Sequence, residues 1–284
     1  MRVVIQQVDM DTCLTALILG VSGGDEIVVV RDDATLADLA DPAVLCVEAG
    51  GSGQVERNNF DHHNTTEPLP PACRQALERS GQSDPQLARL VDYVAAIDAG
   101  GPHALPPLPG LRFPTLSDVF SGMRLTNKEP VEQLRAGLGI FETVLIHGLD
   151  PFGLMPELPC WRPYLVAKRQ NNEAIARAKA HAEILTSKQG VKVGYLETDF
   201  IGALGALYDL GCAVGIAFSP NFGDPTVPKY TIGGNGIRVS HLLPWLNARE
   251  SGWGGPAHGT IIASPRTGSH LAPEEVKRIV QENL

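Results

Sequence analysis

The sequence contains no apolar run of the roughly 18 residues that a membrane-spanning helix needs, so no membrane partner is expected. Its first eleven residues carry one Arg and then acids where the apolar stretch of a secretory leader would continue, and the expected location is therefore the cytoplasm. Cysteine is sparse. The five (Cys13, Cys46, Cys73, Cys160 and Cys212) are scattered, with no C-x-x-C pair, which argues against a disulfide framework and a cysteine-ligated zinc site. They read as small core residues. The absence of H-E-x-x-H removes the usual zinc-peptidase signature. Tandem repeats and low-complexity segments are also absent.

Basic charge is short as well: 23 Lys and Arg face 32 Asp and Glu, for a net charge of −9. Tight binding of long nucleic acid rests on neutralising phosphates with Lys and Arg, so that function is disfavoured. If the protein acts on phosphates, metal ions should supply the positive charge. Residues 1–187 hold 15 basic against 24 acidic side chains and residues 188–284 hold 8 against 8, so the whole excess lies in the first two thirds.

What is present is a chain of 284 residues, 43% hydrophobic and 19% charged, sufficient for two folded domains. The N-terminal stretch alternates strands (2–8, 26–31, 43–48) with short helices, the pattern of a parallel sheet with helices on its faces. After NNFDHHNT, read as loop, the pattern turns helical, interrupted by a Pro-rich surface loop at 100–110. A long helix is expected over 161–188, with apolar positions at its ends and a polar middle, as suits a connector. From residue 191 strands and helices alternate again. The expected fold is thus α/β and two-lobed: a parallel-sheet domain over 1–155, a connector within 156–189 and a smaller α/β domain over 190–284.

In parallel sheets ligands bind beyond the carboxyl ends of the strands, where Asp9, Asp11 and Glu48 fall. Asp61-His62-His63 follows on a glycine-rich loop, offering oxygen and imidazole ligands suited to Mn, Fe or Zn. Adjacent residues of an extended segment point oppositely, so one His can bind metal while the other faces a substrate. Asp11 alone would serve as N-cap of a helix over 12–19, but Asp9 and Asp11 on one face of an extended segment could converge on cations. Asp98, near a helix C-terminus, is unfavourable there unless something positive lies beside it. His103, His147, His181 and His270 read as structural or solvated, and His241 is ambiguous.

Over nearly its whole length this ordered set resembles the DHH phosphoesterase superfamily: Asp9-x-Asp11, Glu48 at a strand end, Asp61-His62-His63, Asp98, and a Gly254-Gly255-x-x-His258-Gly259 loop. The resemblance implies hydrolysis of phosphodiester or phosphoanhydride bonds with two Mn or Mg ions, although a single ion is also possible here. Asp11, Glu48, His62 and Asp98 would hold one ion, and Asp9 with Glu48 part of the other. Asp61 would orient a ligand and His63 would face the substrate. Gly254, Gly255, His258, Gly259 and Arg238 would grip its phosphate or base, with Lys229 competing with Arg238 and a plain turn the less favoured reading of the glycines. Implied partners are a small phosphate-containing substrate or short oligonucleotide, without long-duplex binding, and a homodimer is open. The sequence departs from the family pattern where a first-motif His should stand: Ile5 is there, followed by Gln6 and Gln7. A non-catalytic binding protein that lost its full dinuclear site is the rival expectation.

Overall fold

The computed structural model describes residues 1–63, 65, 68–100, 113–223, 225–255 and 259–284. The expected Pro-rich loop lies largely outside them. The chain divides into two compact units, Met1–Lys168 and Arg169–Leu284.

The first unit opens with β1 (Arg2–Ile5), α1 (Met10–Ile18), β2 (Glu26–Val29), α2 (Leu36–Ala40), β3 (Val44–Val47) and β4 (Asn59–Phe60). The four strands pair in the order β2-β1-β3-β4, all parallel. Alternate residues serve opposite faces: Val3 and Ile5 join the main core, and Val4 joins a second cluster with Val44 and Cys46. Both faces of the central strands are therefore buried, which is why residues 3–5 and 44–47 read as continuous apolar runs. Strand β4 is the part the sequence concealed. Two residues are too few to show a period, yet they place Asp61 at the sheet's carboxyl edge.

Helices α3 (Ala72–Ser80), α4 (Pro85–Gly100), α5 (Leu116–Thr126) and α6 (Pro130–Ile146) complete the core through residues such as Leu90, Leu116, Leu134 and Phe141. Helix α7 (Arg162–Lys179) runs across the division between the units. Its first part packs so closely on α5 that a Cβ at Gly122 would run into the Tyr164 carbonyl oxygen. Alanine inside a helix usually gains over glycine. Here Gly122→Ala is expected instead to cost about 1–3 kcal/mol, the overpacking range, read as a lowered denaturation midpoint; an unchanged or raised midpoint would contradict this packing.

The second unit contains β5 (Glu183–Thr186), β6 (Lys192–Glu197), α8 (Ala203–Asp209), β7 (Val214–Phe222), β8 (Val227–Gly234), α9 (Leu243–Asn247), β9 (Ile261–Ala263) and α10 (Pro273–Asn283). Its sheet runs β5-β6-β7-β8-β9, with β6 and β7 parallel and the remaining pairs antiparallel. The expected helix to residue 188 stops at Lys179. Three successive i→i−3 bonds at Ala180, His181 and Ala182 tighten the chain into 3₁₀-type turns that end it, and Glu183–Thr186 pairs with β6 as an edge strand. Among the described residues no helix is long and apolar enough to cross a membrane.

Candidate metal centre

Four chain segments deliver the cluster. The expected strand over 2–8 ends at Ile5, and α1 begins at Met10, two residues earlier than its spacing indicates. The N-cap is consequently Asp9, whose Oδ1 accepts from the Thr12 N–H at 2.9 Å, while Gln7 Nε2 donates to its Oδ2 at 3.2 Å. The cap role read for Asp11 and the shared extended face of Asp9 and Asp11 are both corrected. Asp11 sits in the first helical turn, buried, with its oxygens accepting from the Ala72 and Cys73 N–H groups at 2.7 and 2.8 Å. Those amides open α3, so a helix N-terminus holds the carboxylate. Sequence reading missed these partners. Pro70-Pro71 ahead of ACRQALERS marks a helix start, but nothing marks which of the acids some sixty residues away it captures.

Glu48 follows β3 in the left-handed region, with φ of 50°, an uncommon conformation for a residue with a Cβ. Its N–H donates to the Phe60 carbonyl at 2.9 Å, tying it to the strand that delivers Asp61. Asp61 is saturated: Oδ2 accepts from the Gly50 N–H at 2.6 Å, and Oδ1 accepts from the His63 N–H at 2.7 Å and lies 3.1 Å from His63 Nδ1. Gln75, also missed from the sequence, donates Nε2 to the Asp61 carbonyl at 3.0 Å. Asp98 comes from the last turns of α4, with Oδ2 3.3 Å from His62 Nε2. The neighbour the fold gives this acid near a helix C-terminus is therefore an imidazole whose burial disfavours its charge, not a fixed positive group.

The two histidines do not diverge as adjacent residues of an extended segment would. Their rings stack, with centroids 4.2 Å apart and planes at 27°. His62 Nδ1 lies 3.4 Å from Glu48 Oε1 and 3.8 Å from Asp11 Oδ2, and His63 Nδ1 lies 3.1 Å from Glu48 Oε2. They differ in access: the His62 side chain is 16% exposed and that of His63 54%.

Two trios thus present ligand atoms within 4.8 Å of one another, Glu48-His62-His63 and Asp11-His62-Asp98, with His62 in both. Asp9 joins neither. The donors suit a hard or borderline divalent cation. A structural feature points the same way: Glu48 Oε1 and His62 Nδ1 are buried without a hydrogen-bond partner, although they face each other at 3.4 Å. Buried orphaned polar atoms are costly, and a cation between them would satisfy both. Ile5, standing where the family pattern has a His, is fully buried in the hydrophobic core, so no imidazole reaches Asp9 from β1.

Burial foremost raises Glu48 to about 8, against the favourable contact with His63. Burial likewise raises Asp11 to about 6, against its bonds from Cys73. Asp61, then Glu48, lift His63 to about 10, and burial lowers His62, favouring the neutral imidazole that ligates metal. For Asp61 burial pushes upward, but the bonds from His63 and Gly50 prevail and keep it low. The Glu48–His63 contact therefore retains a proton at neutral pH. Replacing Asp61 by Asn removes the first cause of the His63 shift, so the His63 value is expected to fall from about 10. NMR titration of metal-free protein checks this, and an unmoved His63 would contradict it.

In the second unit, His258 lies outside the described residues together with Pro256 and Ala257. Gly254 pairs with Ala263 through both backbone bonds, at 3.0 and 2.8 Å. Gly255 presses on β9, where a Cβ would come within 2.6 Å of the Ile261 carbonyl oxygen. These two glycines answer first to backbone packing. The Gly259 carbonyl accepts from the Val239 and Ser240 N–H groups, which brings the exposed Arg238 beside this loop. Lys229, by contrast, is committed to the Ser264 and Pro265 carbonyls at 2.6 and 3.2 Å. His241 Nε2 lies 3.2 Å from the Asn283 carbonyl oxygen.

No protein-family profile and no curated protein matches the sequence. Solved structures do. One is the pGpG-specific phosphodiesterase PggH from Vibrio cholerae, at 14% identity and a TM-score of 0.58, with 99% of this chain and 96% of that chain covered. Another is the DHH domain of a member of the s1p family of ribosomal proteins, at 10% identity and a TM-score of 0.52, covering 98% of this chain and 85% of that one. With the parallel sheet and its cluster of acids and paired histidines in place, the chain shares the fold of these solved structures, a DHH domain among them.

Proposed function

We propose that the chain is a metal-dependent phosphoesterase that hydrolyses phosphodiester or phosphoanhydride bonds of a short substrate: an oligonucleotide, a cyclic dinucleotide or polyphosphate. The observation that carries this reading is the facing pair of orphaned buried atoms, Glu48 Oε1 and His62 Nδ1, flanked by Asp11 and Asp98. Asp11, Glu48, His62 and Asp98 would hold a divalent cation, Mn²⁺ or Mg²⁺, and Asp9 with Glu48 part of a second. Such cations supply Lewis acidity to a water and neutralise charge on phosphoryl oxygens. The chain's own residues do the rest. Asp61, locked by Gly50, fixes the His63 ring and keeps it protonated. His63, the exposed member of the histidine pair, can hold that proton toward a leaving oxygen. Arg238 and the 254–259 loop, His258 included, are the proposed grip on substrate. A neighbour that cleaves pGpG and the balanced charge of residues 188–284 favour a short ligand over long duplex.

A second reading has its own support: Ile5 in the core removes one expected imidazole, as in a binding protein that lost its dinuclear site. Metal-stripped protein, resupplied with Mn²⁺, separates the two. Turnover of bis(p-nitrophenyl) phosphate, a dinucleotide or polyphosphate that requires the cation is expected. Protein holding one ion or none and inert on all three would leave the binding reading.

A further inference from the structure

Away from the metal cluster, within the second unit alone, a cavity of about 360 Å³ opens between the turn that follows β5, α9 and α10. Its wall includes Lys188, Trp245, Arg249, Arg278, Ile279 and Glu282. Trp245 is 55% exposed, whereas Trp161 and Trp253 are 1% and 4% exposed. Of the three tryptophans, Trp245 is the one exposed, and it stands in the wall of a concave surface beside several charged side chains. Ile279, nearly buried, supplies an apolar floor.

The rim is cationic in a chain that is otherwise acidic. Arg249 Nε and Arg278 lie 3.6 and 4.0 Å from the same Glu275 oxygen, so one carboxylate serves two guanidiniums. The Lys188 ammonium has no ion pair among the described residues, nor has the Glu282 carboxylate. A flat hydrophobic face, surplus positive charge and one carboxylate acceptor match a ligand with an aromatic ring, an anionic end and hydroxyl or amino donors. The volume is at the small end for ligand pockets, room for one such unit and not for a strand.

We infer that this pocket binds a nucleoside monophosphate unit, its base stacked on Trp245, its phosphate on Lys188, Arg249 and Arg278, and its ribose or amino donors on Glu282. The site does not depend on the metal-centre reading. The unit could be a free nucleotide or the end of a longer one. The recognition chemistry is the same, and the ligand series tells them apart.

The test is calorimetric titration of the full chain in EDTA with GMP, guanosine, inorganic phosphate and a dinucleotide, alongside Trp fluorescence. GMP binding is expected to quench the exposed tryptophan and to weaken with salt. Trp245→Ala should lower GMP affinity about tenfold, the scale of base–aromatic stacking, and Trp245→Phe should restore most of it. Arg278→Glu, at an exposed position, provides a second variant should Trp245→Ala misfold, and it too should weaken GMP binding. A dinucleotide binding more tightly than GMP assigns the site to a strand end, and equal or weaker binding assigns it to free nucleotide. No GMP binding, GMP binding untouched by both substitutions, or phosphate binding as tightly as GMP would each overturn the proposal.

Discussion

Replacing His62 by alanine is expected to weaken Mn²⁺ binding more than about 100-fold, since groups that merely orient a metal ligand are already worth 10–100-fold, and to abolish cation-dependent turnover. His62 belongs to both trios, reaching Glu48 and Asp11 through Nδ1 and Asp98 through Nε2. Without it, three acids converge with no imidazole bridging them. His63→Ala is the informative control. Its ring is half exposed and saturates Asp61, so its loss should lower turnover while metal affinity changes far less. Equilibrium binding and rate measurements on both variants, with circular dichroism to confirm folding, check the pair. Wild-type metal affinity in His62→Ala would contradict the assignment.

The second large effect is on stability. Metal-free protein is expected to lose stability as pH rises from about 4 to 10. Glu48 and Asp11, raised by burial to about 8 and about 6, are protonated in the fold over ranges where the unfolded chain is already ionised. Each therefore becomes more costly as pH climbs from its unfolded value to its folded one. His63 acts in the same direction. Its value of about 10 contributes stability fully present below 6.5 and lost as pH rises through 10. His62, lowered by burial, opposes this trend only below 6.5. A bound cation takes the place of the Glu48 and Asp11 protons, so Mn²⁺ should stabilise more at alkaline than at acid pH and release protons when added near neutrality. At 100 times its dissociation constant a ligand adds about 2.7 kcal/mol, and each kcal/mol raises the melting temperature of a domain this size by about 2–4 °C. Calorimetric melts across pH, with and without Mn²⁺, should show the transition of the first unit moving up by about 5–11 °C on this scale. A pH-independent apo melting temperature, or no response to Mn²⁺ at pH 8, would contradict it.

What could be read in advance divides along physical lines. The alternation of RVVI, EIVV and VLCV with helical stretches shows a parallel sheet; burial on both faces accounts for the apolar runs of the central strands β1 and β3, whereas the edge strand β2, which also reads as buried, is part-exposed. Asp9, Asp11, Glu48 and Asp61-His62-His63 stand out as acids and imidazoles just beyond strand ends, and Asp98 as an acid near a helix C-terminus. Where reading failed, the deciding interaction was nonlocal. Asp11 looks like a cap until α3 is folded against it. The stacked rings of His62 and His63 need the turn after Asp61, held by Gly50 and by Asp61 itself. The strand at Glu183–Thr186 exists only because β6 lies alongside, for its own spacing continues the helix.

The departure at Ile5 is the most consequential for chemistry. Valine and isoleucine fill β1 because both of its faces are buried, and an imidazole at Ile5 would have entered the apolar core.

The central claim, that Asp11, Glu48, His62 and Asp98 form a cation site, is tested most directly by anomalous diffraction from crystals soaked in Mn²⁺. The predicted result is a peak in contact with Glu48 Oε1 and His62 Nδ1, two facing buried atoms that otherwise lack partners. A map with no peak there at saturating Mn²⁺, or with manganese only at other surface acids, would contradict it.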